Sequence, residues 1–133
     1  MSEHKLEFGL VLFTCGTSWT AEGNPDWNFI SGYAKKAESL GFDSIWVMDH
    51  YWNPYSLDYA AFDALTVLAS LSGVVHRARL GVSVISNIMR HPSNLATMAA
   101  SLDAISRGRL DLGIGPGWGL GEAKMLGLPS PRY

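Results

Sequence analysis

The sequence predicts an α/β fold built on a parallel sheet. Three observations carry this. Four short apolar runs start near residues 6, 44, 80 and 109. The stretches between them place apolar residues at helical spacing and are bounded by cap and stop residues. Each strand-plus-helix unit is about 30–40 residues long, the size of a crossover, which makes the strands parallel and the connections right-handed.

The first run, Leu6 to Phe13, gives way to Thr14-Cys15-Gly16-Thr17 and reads as a strand followed by a loop. Asn24 and Pro25 predict a helix start, with Asn24 as the cap and Pro25 in the first helical position. Ile30, Tyr33, Ala34 and Ala37 continue that helix, and Gly41 stops it. Ser44 to Met48 is the second strand and ends at Asp49-His50. After the loop Tyr51-Trp52-Asn53-Pro54-Tyr55, a helix is predicted from Asp58 to Ser72, with Ala61, Leu65, Leu68 and Ser72 on one stripe and Gly73 as its stop. Leu80 to Ile85 is the third strand, ended by Ser86-Asn87. His91 and Pro92 open a third helix whose stripe is Leu95, Met98, Ala99, Leu102 and Ile105, with Gly108 at its end. Arg109 to Ile114 is the fourth strand, and it runs straight into Gly115-Pro116-Gly117-Trp118-Gly119-Leu120-Gly121.

Composition narrows the function. The chain has 133 residues, of which 47% are apolar and 17% charged, which excludes a disordered chain. Ten basic and twelve acidic residues give a formal charge of −2, so there is no basic nucleic-acid footprint and no polybasic membrane patch. There is no secretory h-region and no apolar stretch of the roughly 18 residues that span a bilayer. A soluble, cytoplasmic chain is the expectation. One cysteine excludes an internal disulfide, and four histidines without ligand spacing lead us to expect no metal. Fourteen glycines and five tryptophans favour ligand sites built at turns. Nothing resembling a linker divides residues 1–133.

Two architectures fit this element order. One is a doubly wound open sheet. The other is a (β/α)8 barrel, which needs about 250 residues, so that a chain of this length supplies about its first four units. Both place the site at the carboxyl ends of the strands. Those ends carry Thr14-Cys15-Gly16, Asp49-His50, Ser86-Asn87 and the glycine run.

Asp49-His50 is the acid–base candidate, because imidazole titrates near neutrality and a carboxylate can orient it. The same pair also suits a capping aspartate beside a histidine packed under a loop. Glycines at 113, 115, 117, 119 and 121 recur at every second residue, which matches neither the dinucleotide fingerprint nor the P-loop. They offer backbone that a flat ligand can approach closely, with the Trp118 indole beside it; a flexible turn is the simpler reading. His91 is read as a cap, His76 as a solvated turn, Cys15 as a small buried residue, and Asp103 with Arg109 as an ion pair across a turn.

Several ordered segments together resemble the N-terminal half of the bacterial luciferase-like monooxygenases, flavin- and deazaflavin-dependent (β/α)8 oxidoreductases. They are Ala37 to His50, Arg79-Leu80-Gly81, Arg90-His91-Pro92, Leu102 to Leu110, and Gly113 to Trp118 followed by Glu122. The resemblance implies a TIM-barrel mouth holding the ring of FMN or of coenzyme F420, with F420 preferred. It implies a non-prolyl cis peptide in the third strand, which would fall at Ser83-Val84, with Ser86 close to the ring. It places Asp49 and His50 beside cofactor and substrate, and Gly115, Gly117 and Trp118 in the pocket wall. Deazaflavin sugar-phosphate dehydrogenases carry a catalytic glutamate about where Trp118 stands, which argues against that activity here.

The expected function is therefore oxygenation of, or hydride transfer to or from, a small organic substrate. A non-catalytic flavin-binding or assembly module, or an inactive truncated fragment, is the alternative. The resemblance also implies four further strands. On that expectation residues 1–133 are half of a barrel, working as a homo-oligomer or needing a C-terminal half.

Overall fold

Each short apolar run forms a strand, and all four pair in parallel in the order β1–β2–β3–β4. The strands are β1 (Gly9–Leu12), β2 (Ser44–Val47), β3 (Arg79–Ser86) and β4 (Leu110–Gly115). The helices are α1 (Trp27–Ser39), α2 (Ala64–Ser72), α3 (Pro92–Ser106) and the short α4 (Leu120–Met125). A computed structural model describes residues 6–15, 26–52, 60–117 and 120–128. The strand order decides between the two architectures. A doubly wound sheet reverses direction and puts its first strand inside. Here β1 and β4 are the outer strands and each strand neighbours the next in sequence, which is the wall of a barrel.

One face of the sheet lies under the helices. Leu12, Ile45, Val47, Leu80, Val82 and Ile85 join Ile30, Ala34, Leu65, Leu68, Leu71 and Leu102 in one buried apolar cluster. The opposite face is organised by Trp46. A Cβ at Gly9 would stand 2.8 Å from its indole nitrogen, and one at Gly81 would stand 2.3 Å from its six-membered ring. Glycine on both neighbouring strands thus clears the space that the indole fills, and its N–H donates to Ser44 Oγ at 2.8 Å. Among the described residues, no helix is long and apolar enough to cross a membrane.

Two helix starts differ from expectation. α1 begins at Trp27, capped by Asp26, whose carboxylate accepts the Asn28 N–H at 2.8 Å; Asn24 and Pro25 lie outside the described residues. α2 begins at Ala64, because Asp63 caps it by accepting from the Thr66 N–H and hydroxyl, both at 2.8 Å. Ala61, which carries part of the helical spacing, instead bridges to Cys15, and Ala60 bridges to Trp52. α3 starts as predicted, with Pro92 first and His91 Nδ1 accepting from the Ser93 N–H. It ends with Arg107 and Gly108 both left-handed, at φ 62° and 77°.

The ion pair expected between Asp103 and Arg109 does not form. Asp103 accepts the Leu110 N–H at 3.2 Å. The Arg109 guanidinium donates to the carbonyls of Ser106, Ala78 and Ser72 at 2.7, 2.8 and 3.1 Å. Ser72 and Ser106 close α2 and α3, and a cation is favoured at the partial negative charge of helix C-termini. Ion pairs at this end of the sheet include Arg79–Asp111 and Arg77–Asp43. The exposed turn at His76 is tied down by Glu38, whose carboxylate accepts the N–H groups of His76, Arg77 and Ala78.

Candidate active site

The carboxyl ends of β2, β3 and β4 surround a cavity of about 270 Å³. Asp49 and His50 leave the end of β2, Ser83, Val84 and Ser86 come from β3, and Gly117 and Glu122 follow β4. The pairing of β3 with β4 slips between Val82 and Ile85. The Ser83–Val84 peptide in that gap is cis, at the position the resemblance implied. Val84 is 45% exposed and forms an apolar platform in the cavity wall.

The alternating glycines of β4 have a local cause. A Cβ at Gly113 would stand 2.6 Å from the Val82 carbonyl oxygen, and one at Gly115 would stand 2.7 Å from a Val84 methyl. One at Gly117, where φ is +79°, would stand 2.3 Å from Ser86 Oγ. The run therefore accommodates the irregular turn of β3, so the groups that approach its backbone closely are Val84 and Ser86.

Asp49 is fully committed to the protein. Its carboxylate accepts the Ser86 N–H at 3.0 Å and takes both terminal nitrogens of Arg90, at 2.7 and 2.8 Å. Arg90 also pairs with Asp63, the cap of α2, and lies 4.8 Å above the centre of the Tyr51 ring. Burial disfavours the Arg90 charge, but the bonds and charges of Asp49 and Asp63 outweigh it and hold its pKa above the ordinary value.

His50 has a different carboxylate. Its Nδ1 is 3.0 Å from Glu122 Oε2, and both side chains are buried. The other oxygen, Oε1, accepts the N–H groups of Tyr51 and Trp52 at 2.5 and 3.0 Å. Burial raises the Glu122 pKa, yet the bonds from His50, Trp52 and Tyr51 prevail and hold it below the usual glutamate value. The sequence reading paired His50 with Asp49. Neighbouring residues leaving a strand diverge, so Asp49 turns to Arg90 and His50 to Glu122.

Of the predicted site residues, Asp49, His50, Ser83, Val84, Ser86 and Gly117 line the cavity. Gly115 abuts Val84 from β4. Trp118 lies outside the described residues. Arg90 and Glu122 were missed as working groups. Both stood inside quoted motifs, but partners 41 and 72 residues apart leave no spacing signal. Cys15 is buried; burial raises its thiol pKa, and the Glu122 charge adds to that, which suits a packed residue. No cluster of His, Cys, Asp or Glu among the described residues could hold a metal ion.

The model of the luciferase-like monooxygenase family matches residues 6–133. The chain belongs to the luciferase-like monooxygenase family. It is 40% identical over 88 residues to a 5,10-methylenetetrahydromethanopterin reductase of Methanolobus tindarius, covering 66% of this chain and 24% of that one. It is 38% identical over 100 residues to an F420-dependent glucose-6-phosphate dehydrogenase of Beutenbergia cavernae, covering 74% and 30%. Among solved structures, the coenzyme F420-dependent tetrahydromethanopterin reductase from Methanopyrus kandleri superposes with a TM-score of 0.74 at 29% identity, covering 96% of this chain and 31% of that one. The luciferase-like chain thus spans about a quarter to a third of the length of these relatives.

The residues present fit a flat heteroaromatic cofactor. Val84 offers an apolar platform in the cavity wall. Ser86 Oγ is buried without a hydrogen-bond partner among the described residues, on a residue that lines the same space. A buried hydroxyl left in that state is unfavourable, by about 1–3 kcal/mol, until a polar group reaches it.

Proposed function

We propose that this luciferase-like chain forms the ring-binding wall of an oxidoreductase that uses coenzyme F420, in preference to FMN, on a small organic substrate. The observation that carries this is one cavity combining the Val84 platform, the Ser86 hydroxyl, unpartnered among the described residues, and the His50–Glu122 pair. Relatives named for F420 dependence support the preferred cofactor.

Such a ring, when bound, supplies the hydride or oxygen chemistry, and the protein contributes position and proton handling. Val84 would back one face of the ring. Ser86 Oγ would bond a polar edge. His50 would give or take a proton at a substrate heteroatom beside the reacting carbon. Asp49 would hold the wall in place through Ser86 and Arg90. The exposed apolar residues Phe8, Val11 and Phe13 on or beside β1, and Ile114 on β4, would be covered in the working protein by a second copy or by further strands.

The test is titration of the purified protein with F420 and with FMN, followed by turnover on small alcohols, carbonyl compounds and oxygenation substrates. Binding with turnover is expected, and His50→Ala should lower kcat more than cofactor affinity. Binding without turnover on any substrate would favour the non-catalytic module. No binding of either ring in any assembly state would contradict the proposal.

A further inference from the structure

We infer that Glu122 is a positioning residue that holds His50 as its Nδ1–H tautomer, so that the neutral ring carries its lone pair on Nε2. The inference rests on the proposed acid–base role of His50 for its functional meaning, but its physical content does not.

Oε1 of Glu122 faces two backbone N–H groups, those of Tyr51 and Trp52, which can only donate. That fixes the plane and the end-to-end sense of the carboxylate, and it leaves Oε2 facing His50 Nδ1 at 3.0 Å. An ionised carboxylate is an acceptor and cannot donate. The same bonds that hold the Glu122 pKa below its ordinary value keep it ionised. Nδ1 must therefore carry the hydrogen. When the ring is neutral, its lone pair sits on Nε2.

The alternative orienting group is already saturated. Both Asp49 oxygens are on Arg90, and one also accepts the Ser86 N–H. Burial sharpens the demand for a matched partner, because Glu122 and His50 are only 5% exposed. The tautomer of a residue at the end of β2 is thus set from α4, on the far side of the glycine run.

The test is long-range ¹H–¹⁵N correlation NMR on histidine-labelled protein, at a pH where His50 is neutral. In the wild type we expect a protonated Nδ1 and an unprotonated Nε2. In Glu122→Gln the amide oxygen can keep the two backbone donors, which turns the amide NH2 toward Nδ1. A donor there requires Nδ1 to accept, so the proton should move to Nε2 and the two ¹⁵N signals should exchange character. A wild-type ring protonated at Nε2 would overturn the inference, and this needs no variant to fold. So would a folded Glu122→Gln that keeps the wild-type pattern. The readout needs no cofactor, so a protein that shows this switch but binds neither F420 nor FMN would contradict only the proposed function.

Discussion

Arg90 grips Asp49 with both terminal guanidinium nitrogens, and the pair is buried, with the arginine side chain only 6% exposed. The same guanidinium reaches Asp63 at the start of α2. One cation therefore joins the end of β2, the loop after β3 and the cap of a helix. This is what fixes the cavity wall, since Asp49 in turn holds the Ser86 N–H.

Removing one member of a buried pair leaves the other charge uncompensated, which costs about 3–5 kcal/mol. Arg90→Ala should lower the unfolding free energy by an amount of that order, seen as a lower urea midpoint with an unchanged slope. Arg90→Lys should recover only part of it, because an ammonium cannot reproduce the two-point contact with Asp49 and still reach Asp63. A midpoint unchanged in Arg90→Ala would show that the network does not hold the fold.

Glycine substitutions should separate by position. In Gly113→Ala the new methyl meets a backbone oxygen at 2.6 Å, which cannot move aside without shifting β3. A loss of about 1–3 kcal/mol is expected, as for other overpacked sites. Gly32 lies within α1, and a Cβ there meets nothing within 4 Å. Gly32→Ala should stabilise the chain by about 0.5–1 kcal/mol through the unfolded state and helix propensity. Thermal unfolding of the two variants checks both signs.

Much of this was legible in the sequence, and the reasons differ by element. The strands were found because apolar runs punctuated by glycine and polar residues need only local reading. α3 was placed at its first residue because His91 and Pro92 are local signals. α2 was started too early because Ala61 continues the helical spacing while its backbone bridges to Cys15. Spacing reports a side chain's period but not the partner of its backbone. The cavity lies in the region the sequence points to, since parallel strands bring their carboxyl ends together whatever their residues. Its internal pairing was not legible. Asp49 and His50 are adjacent in sequence and were read as partners, while the groups they use, Arg90 and Glu122, arrive through long-range packing.

Acid should weaken the protein through three carboxyls. Burial opposes ionisation of Glu38, Asp63 and Glu122. The N–H groups of Ala78, Arg77 and His76 outweigh it at Glu38, Thr66 and Arg90 do so at Asp63, and His50 with two N–H groups does so at Glu122. All three therefore have lower pKa values folded than unfolded. Their stabilisation is complete above the ordinary carboxylate range, about pH 4–5, and is lost as the pH falls through and below it. Melting temperature should fall across that acid window, and Asp63→Asn should fall less steeply than the wild type over the same range.

The proposed function puts a cofactor ring against Val84. The most direct measurement is methyl NMR of valine-labelled protein in its soluble assembly state, titrated with F420 and separately with FMN up to millimolar concentration, where even weak binding is visible. The Val84 methyl signals should move upfield under the ring current of the bound cofactor, with Val47 and Val67 in the buried core unmoved. Val84 signals that stay in place while the cofactor binds elsewhere, or that do not respond to either ring, would contradict it.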